Sequence, residues 1–255
     1  MSKIVYFVLI DIVKNKIVVA YAIILTILSW GVFMLEDSSN KGLLTLLNVV
    51  LLVVPLMALL FSTIYLYNSA EFIELLTGQP VKRKTIWLSL YSGLALSLTS
   101  AFLLAVGLPV FIFCEFAAAI TLVITGCLIT LVFTSIAFLS AISSRDKAKG
   151  IGIAIMVWLY FALIFDGLVL FLLFQFGEYP IEKPMVLLSI LSPLDLTRIF
   201  NLLQMDSSAL MGYTGAIFKN YFGTNVGMII AFMVLTAWTL IPLLISLRIF
   251  IKKDL

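Results

Sequence analysis

Few residues in this chain could do covalent chemistry, and the missing types are the first constraint. There is no histidine among 255 residues. That excludes an H-E-x-x-H zinc site and any Ser-His nucleophilic pair. No G-x-x-x-x-G-K-[ST] string occurs either, so the chain has no phosphate loop with which to hydrolyse ATP. The two cysteines, Cys114 and Cys127, are well separated, at the edge and inside of apolar stretches; they match neither a zinc pattern nor a disulfide framework and read as small hydrophobes. Met185, Met205 and Met211 fall in one polar segment, where copper would want clustered soft ligands, but Met is also an ordinary filler of apolar gaps. We assign no catalytic, cofactor-binding or metal-ligating residue. The ionisable residue that stands out is Asp166, inside an apolar stretch, with Glu115 between two others. An acid within lipid is a functional candidate by default. The alternative is that the span ends near Asp166 and Gly167, leaving a hydrated carboxylate.

The elements that position these residues follow from composition. Hydrophobic residues make up 63% of the chain and charged ones 11%, with a mean hydropathy of +1.22. A soluble domain carries about 45–50% and 25%. The excess needs a solvent that tolerates apolar surface, which is lipid. Six continuous apolar stretches, about 17–35, 43–67, 86–113, 117–142, 150–176 and 226–250, each reach the roughly 20 residues needed to cross a hydrocarbon core. Their continuity excludes the period-two alternation of a transmembrane barrel. The first carries no small-residue cleavage pattern, so we keep it as a span.

Basic residues set the expected orientation. Lys3, Lys14 and Lys16; Lys82, Arg83 and Lys84; Arg145, Lys147 and Lys149; and Arg248, Lys252 and Lys253 fall in alternate non-spanning segments. Six spans put all of them on one side, the cytoplasmic one, with both termini. The net charge of +3 is thus an orientation signal, and no nucleic-acid partner follows from it. The expected fold is an all-α integral membrane protein with six transmembrane helices, both ends in the cytoplasm, forming one transmembrane domain over 1–255.

Three non-spanning segments carry information. In residues 1–16, Lys3, Asp11 and Lys14 share one helical face, which suits an interfacial helix; an extended first span is the alternative. Residues 68–85 read as a short helix of about nine residues. Asn68 and Glu71 are spaced as a capping box, Gly78 is placed to end the helix, and Pro80 forbids its continuation. Phe72, Ile73, Leu75 and Leu76 give it an apolar side, and Glu71 and Glu74 lie one turn apart. So short a helix must lean on a membrane surface or a partner. Residues 177–225, punctuated by Pro180, Pro184, Pro193, Gly212, Gly215 and Gly223, read as an outer cap of short helices at or dipping into the interface.

This arrangement, with the string EFIELLTGQPVKRK, resembles the permease subunits of type-2 ABC transporters. The strings YNSAEFIELL at 67–76 and SPLDLTRIFNLLQMDSSALMGYTGAIF at 192–218 are similar, more narrowly, to the membrane subunits of copper-processing ABC transporters that support maturation of nitrous oxide reductase. The resemblance implies a homodimer in the bacterial inner membrane, cytoplasmic ATPase subunits that bind ATP and magnesium, and a periplasmic partner of β-helix type. It places Glu71, Phe72, Glu74, Leu75, Lys82 and Arg83 against the ATPase. It places Pro193, Asp195, Arg198, Asp206, Gly212, Tyr213 and Gly215 on the face toward the periplasmic partner. A chain with no histidine and no cysteine pair offers no evident copper path, so the expected role is mechanical: ATPase closure is transmitted across the membrane. The alternatives are a general type-2 exporter permease for a drug, lipid or polysaccharide; an intramembrane enzyme using Asp166 and Glu115; and a scaffold that transports nothing.

Overall fold

A computed structural model describes residues 2–176, 182–205 and 225–252. They form helices Ser2–Val13 (α1), Lys16–Leu35 (α2), Ser39–Asn68 (α3), Ala70–Thr77 (α4), Arg83–Phe113 (α5), Phe116–Ser143 (α6), Lys147–Phe176 (α7), Glu182–Leu191 (α8), Pro193–Gln204 (α9) and Asn225–Lys252 (α10). There is no strand among the described residues. Helices α2, α3, α5, α6, α7 and α10 are each long and apolar enough to cross a membrane. Each of the six expected spans falls inside one of them.

Helix α6 is the axis of the bundle, packed against α3 on one side and α10 on another. It carries no charged residue, and its core face is built from Ile129, Val132, Phe133, Ala137 and Phe138. Without a hydrophobic drive between helices in lipid, cohesion depends on close contact. Gly126 supplies such a contact, since a Cβ there would lie 2.7 Å from Phe102 Cε1 and nearer still to Cζ. Helices α2, α7 and α10 are the least buried spans and turn residues such as Ile27, Leu163, Phe171 and Ile241 outward, as lipid-facing helices do.

Two spans contain π-helical turns, Leu103–Gly107 in α5 and Tyr160–Ile164 in α7. The first has a visible cause. Pro109 has no N–H to offer the carbonyl four residues earlier, which is Ala105. Ser29 of α2 donates its hydroxyl to that carbonyl at 2.6 Å. The defect in one span thereby becomes a tie to its neighbour.

Helix α1 is separate from the first span. The chain breaks at Asn15, whose side chain caps α2 by accepting from the Ile17 N–H at 2.9 Å. An extended first span is therefore not what the sequence builds. Val8 and Ile12 are buried against α5, and the Tyr65 hydroxyl of α3 donates to Asp11 Oδ2 at 3.0 Å.

The four basic segments meet at one end. Lys147 Nζ donates to Asn68 Oδ1 at 2.7 Å, and Arg83 Nη1 donates to the Ile251 carbonyl at 3.2 Å. Arg145 lines a cavity with Glu74 and Phe250 at that same end. The opposite end carries the α2–α3 and α5–α6 turns, where Phe33 stacks on Phe113 at 5.2 Å and Glu115 precedes α6.

Candidate docking face and intramembrane ion cluster

The docking candidate is α4. It begins at Ser69 with no side-chain cap, and Glu71 in its first turn faces the positive end of the helix dipole. The Asn68–Glu71 spacing suggests a capping box, but α3 continues through Asn68 and the Asn68 amide oxygen is taken by Lys147. A neighbouring cation outcompetes the local cap. Gly78 does end the helix, in ordinary right-handed conformation, its N–H donating to the Glu74 carbonyl at 3.1 Å. Ile73 and Leu76 are buried in the bundle, whereas Leu75 is 71% exposed. The apolar side read from sequence is thus divided: half anchors the helix and half faces out.

Glu71, Glu74 and Leu75 are exposed at positions that share one helical face. Phe72 is half-buried and tilts against Phe7 of α1, ring centroids 5.4 Å apart. Lys82 is exposed, while Arg83 is drawn inward to the last turn of α10, where a cation suits the negative helix end. Behind α4 lies a cavity of about 410 Å³ lined by Leu66, Ile73, Glu74, Trp87, Arg145 and Phe250. Trp87 and Phe250 stack in its floor at 4.4 Å. Nearby, Tyr67 donates its hydroxyl to the Ser144 carbonyl at 3.0 Å and rests against Gly150, where any Cβ would meet the ring. These contacts bind the ends of α3, α5, α6, α7 and α10 into one platform under α4.

The second cluster lies deeper. Helix α7 runs on through Asp166 and Gly167 to Phe176, so the span does not end at the acid. At 1.5 Å per residue Asp166 lies about 15 Å short of that helix's outer end. Arg198 of α9 meets it, Nη1 to Oδ2 at 2.8 Å, and also approaches Asp195 Oδ1 at 3.7 Å. Asn201 donates to Thr125 Oγ1 at 2.9 Å, about 14 Å in from the start of α6. Trp238 Nε1, about 17 Å in from the start of its span, donates to the Ile190 carbonyl at 3.2 Å. Helices α8 and α9 therefore form a hairpin whose turn reaches well down between the spans. The described part of the expected cap, 182–205, reaches further in than the helix ends.

Local sequence explains the turn. Ser192 caps α9 by accepting from the Asp195 N–H at 3.2 Å, and Pro193 occupies the first helical position, where its missing N–H costs nothing. Leu196, Ile199 and Phe200 pack on Ala231 and Leu235 of α10, with Phe200 edge-on to Phe232 at 5.2 Å. Asp195, Arg198 and Asn201 fall at intervals of three, a polar stripe whose partners Asp166 and Thr125 lie on neighbouring helices.

Several expected residues are placed differently as a result. Pro193 and Asp195 are buried in this chain, and Arg198, about a third exposed, is paired with Asp166. The reason is that Asp166 offers Arg198 a charge partner that lipid cannot. Asp206, Gly212, Tyr213, Gly215 and Met211 lie outside the described residues, as does the Met185 side chain. Asp166 and Glu115 are not brought together; Glu115 borders Ser38 and Cys114 at the outer turns. Burial pushes the Cys114 thiol up to about 11, consistent with an inert small hydrophobe. Asn201, Thr125 and Trp238 were not singled out by sequence, although the three-residue spacing from Asp195 points to Asn201.

No protein-family model matches the chain. A curated protein of Stutzerimonas stutzeri, described as the probable ABC transporter permease protein NosY, is 24% identical over 266 aligned residues, covering 95% of each chain. The chain resembles an ABC transporter permease. The likeness to NosY is one of low identity but nearly full length, so it extends over α4 and the α8–α9 hairpin alike. It supports a permease subunit, which implies ATPase partner subunits, over an enzyme. With six helices able to span, it supports a multi-pass protein of the bacterial inner membrane.

Proposed function

We propose that this NosY-like permease docks its ATPase on α4 and transmits ATP-driven movement to the α8–α9 hairpin on the far side. The observation that carries the reading is the exposed face Glu71, Glu74 and Leu75 at the end where the basic segments collect. By the positive-inside rule that end faces the cytoplasm, where the ATPase and its ATP and magnesium are. Two acids beside an exposed leucine offer a partner both charge complementarity and an apolar anchor. Because Ile73 and Leu76 root α4 in the platform, force on α4 reaches α3, α5, α6, α7 and α10 together.

The working unit in this reading is a homodimer with paired ATPases and a periplasmic β-helix partner, engaged in copper-site maturation of nitrous oxide reductase. The role is mechanical, since the chain has no histidine. Replacing Glu71 and Glu74 by Lys should abolish co-purification of the ATPase while the permease still inserts. Unchanged co-purification would remove the docking role. The maturation role has its own test: deletion of this gene should leave nitrous oxide reductase expressed but copper-deficient. A fully loaded enzyme would instead favour a general type-2 exporter of a drug, lipid or polysaccharide.

A further inference from the structure

Two carboxylates and one guanidinium meet where α9 crosses α7, about 15 Å short of the outer end of that span. Arg198 can neutralise one acid only. If Asp166 and Asp195 are both ionised the cluster carries a net negative charge in a low-dielectric site; with one proton shared between them it is neutral. Asp195 is the more enclosed of the two acids, at 10% side-chain exposure against 27% for Asp166.

We propose that Asp166, Arg198 and Asp195 form a proton-controlled latch that holds the α8–α9 hairpin between α7 and α10, closed when the cluster binds one proton and loosened when it gives that proton to water. In the closed state Asp195 carries the proton and donates it in a hydrogen bond to Asp166, while Arg198 keeps its 2.8 Å pair with Asp166. Loss of the proton sets two carboxylates against each other and weakens the hold of α7 on α9. Helix α7 is already wound as a π-helix at Tyr160–Ile164, just before Asp166, a type of irregularity that marks working positions in helices.

Among the described residues, the helices packed around the cluster bring no other charge near it. Helix α6 has none; α10 has only Arg248 and Lys252, at the far end of the bundle; α3 has only Lys41, in its first turn; and α8 has Glu182 and Lys183 at its start, whose side chains lie outside the described residues. The other charged residues of α7, Lys147 and Lys149, are in its first turn. Burial, then the neighbouring Asp166, push the Asp195 carboxyl up from 3.8 to about 7, with Arg198 opposing. The docked state therefore holds its proton at pH values where a hydrated carboxyl has lost it. Docking is strongest below about pH 4, weakens as pH rises toward 7, and is weakest once Asp195 ionises in place.

Hydrogen–deuterium exchange of the full chain in lipid nanodiscs tests this, reading peptides from 193–204 after correction for the intrinsic pH dependence of exchange. Between pH 6 and pH 8 protection of α9 should fall about tenfold, the change expected for a site that loses one proton near pH 7. Peptides from α6 should not change. Asp195→Asn, which cannot ionise, should flatten the profile. If that variant does not fold, Asp166→Asn should move the fall in protection to lower pH, since it removes the negative neighbour while burial of Asp195 remains. Equal protection of the parent chain at the two pH values overturns the proposal, and so does a slope that survives in Asp195→Asn or keeps its midpoint in Asp166→Asn.

Discussion

Replacing Gly126 by Ala is the most local test of how the bundle is held. A methyl at that position would stand 2.7 Å from Phe102 Cε1 and closer to Cζ, whereas carbon atoms rest at roughly 3.5–4.0 Å, so the ring must retreat by about an ångström. Phe102 is fully buried and has nowhere open to go. Overpacking of this kind costs about 1–3 kcal/mol, and the better helix propensity of Ala returns up to about 1 kcal/mol. So close an approach puts the cost at the upper end, and the net loss of about 2 kcal/mol corresponds to a melting temperature lower by roughly 4–8 °C for a chain of this size. The assay is thermal unfolding in detergent by intrinsic fluorescence. Phe102→Leu should restore much of the loss in the double variant, a coupling of about 1 kcal/mol. A Gly126→Ala protein as stable as its parent, or losses that simply add, would refute the close approach of α5 and α6.

Other substitutions probe the elements around the two candidate sites. Trp238→Phe removes the hydrogen bond to the Ile190 carbonyl and should cost about 1 kcal/mol, read as faster proteolysis within the α8–α9 hairpin. Tyr67→Phe removes the tie to the Ser144 carbonyl and should lower the melting temperature by roughly 2–4 °C without affecting membrane insertion. Arg198→Met leaves Asp166 and Asp195 without their counter-charge and should destabilise more than Asp195→Asn, by about 1–3 kcal/mol, measured as loss of monodisperse protein on heating.

The spans were legible because lipid thickness imposes one length on every crossing helix, and 17–35 or 117–142 could hardly be anything else. Helix α4 was legible from Gly78 and Pro80, which stop it, and from the acids that begin it. Its cap was not, because the fate of Asn68 depends on Lys147, 79 residues away in sequence. The same long-range chemistry hid the hairpin. Residues 177–225 look too polar for the membrane interior when read singly, yet Arg198 and Asp166 cancel each other and Asn201 is satisfied by Thr125. Polar residues that pair within a bundle carry no mark in sequence of the depth at which they pair. Arg198, a cation in the segment before the last span, was the available clue to a partner for Asp166.

The measurement that bears most directly on the central claim is photo-crosslinking from α4 in cells that express an ABC ATPase with the permease. A photoreactive residue at Leu75, which is 71% exposed, should capture the ATPase, and one at Leu76, which is 8% exposed, should capture only the permease itself. Equal capture from the two positions, or none from Leu75, would contradict the assignment of α4 as the docking face.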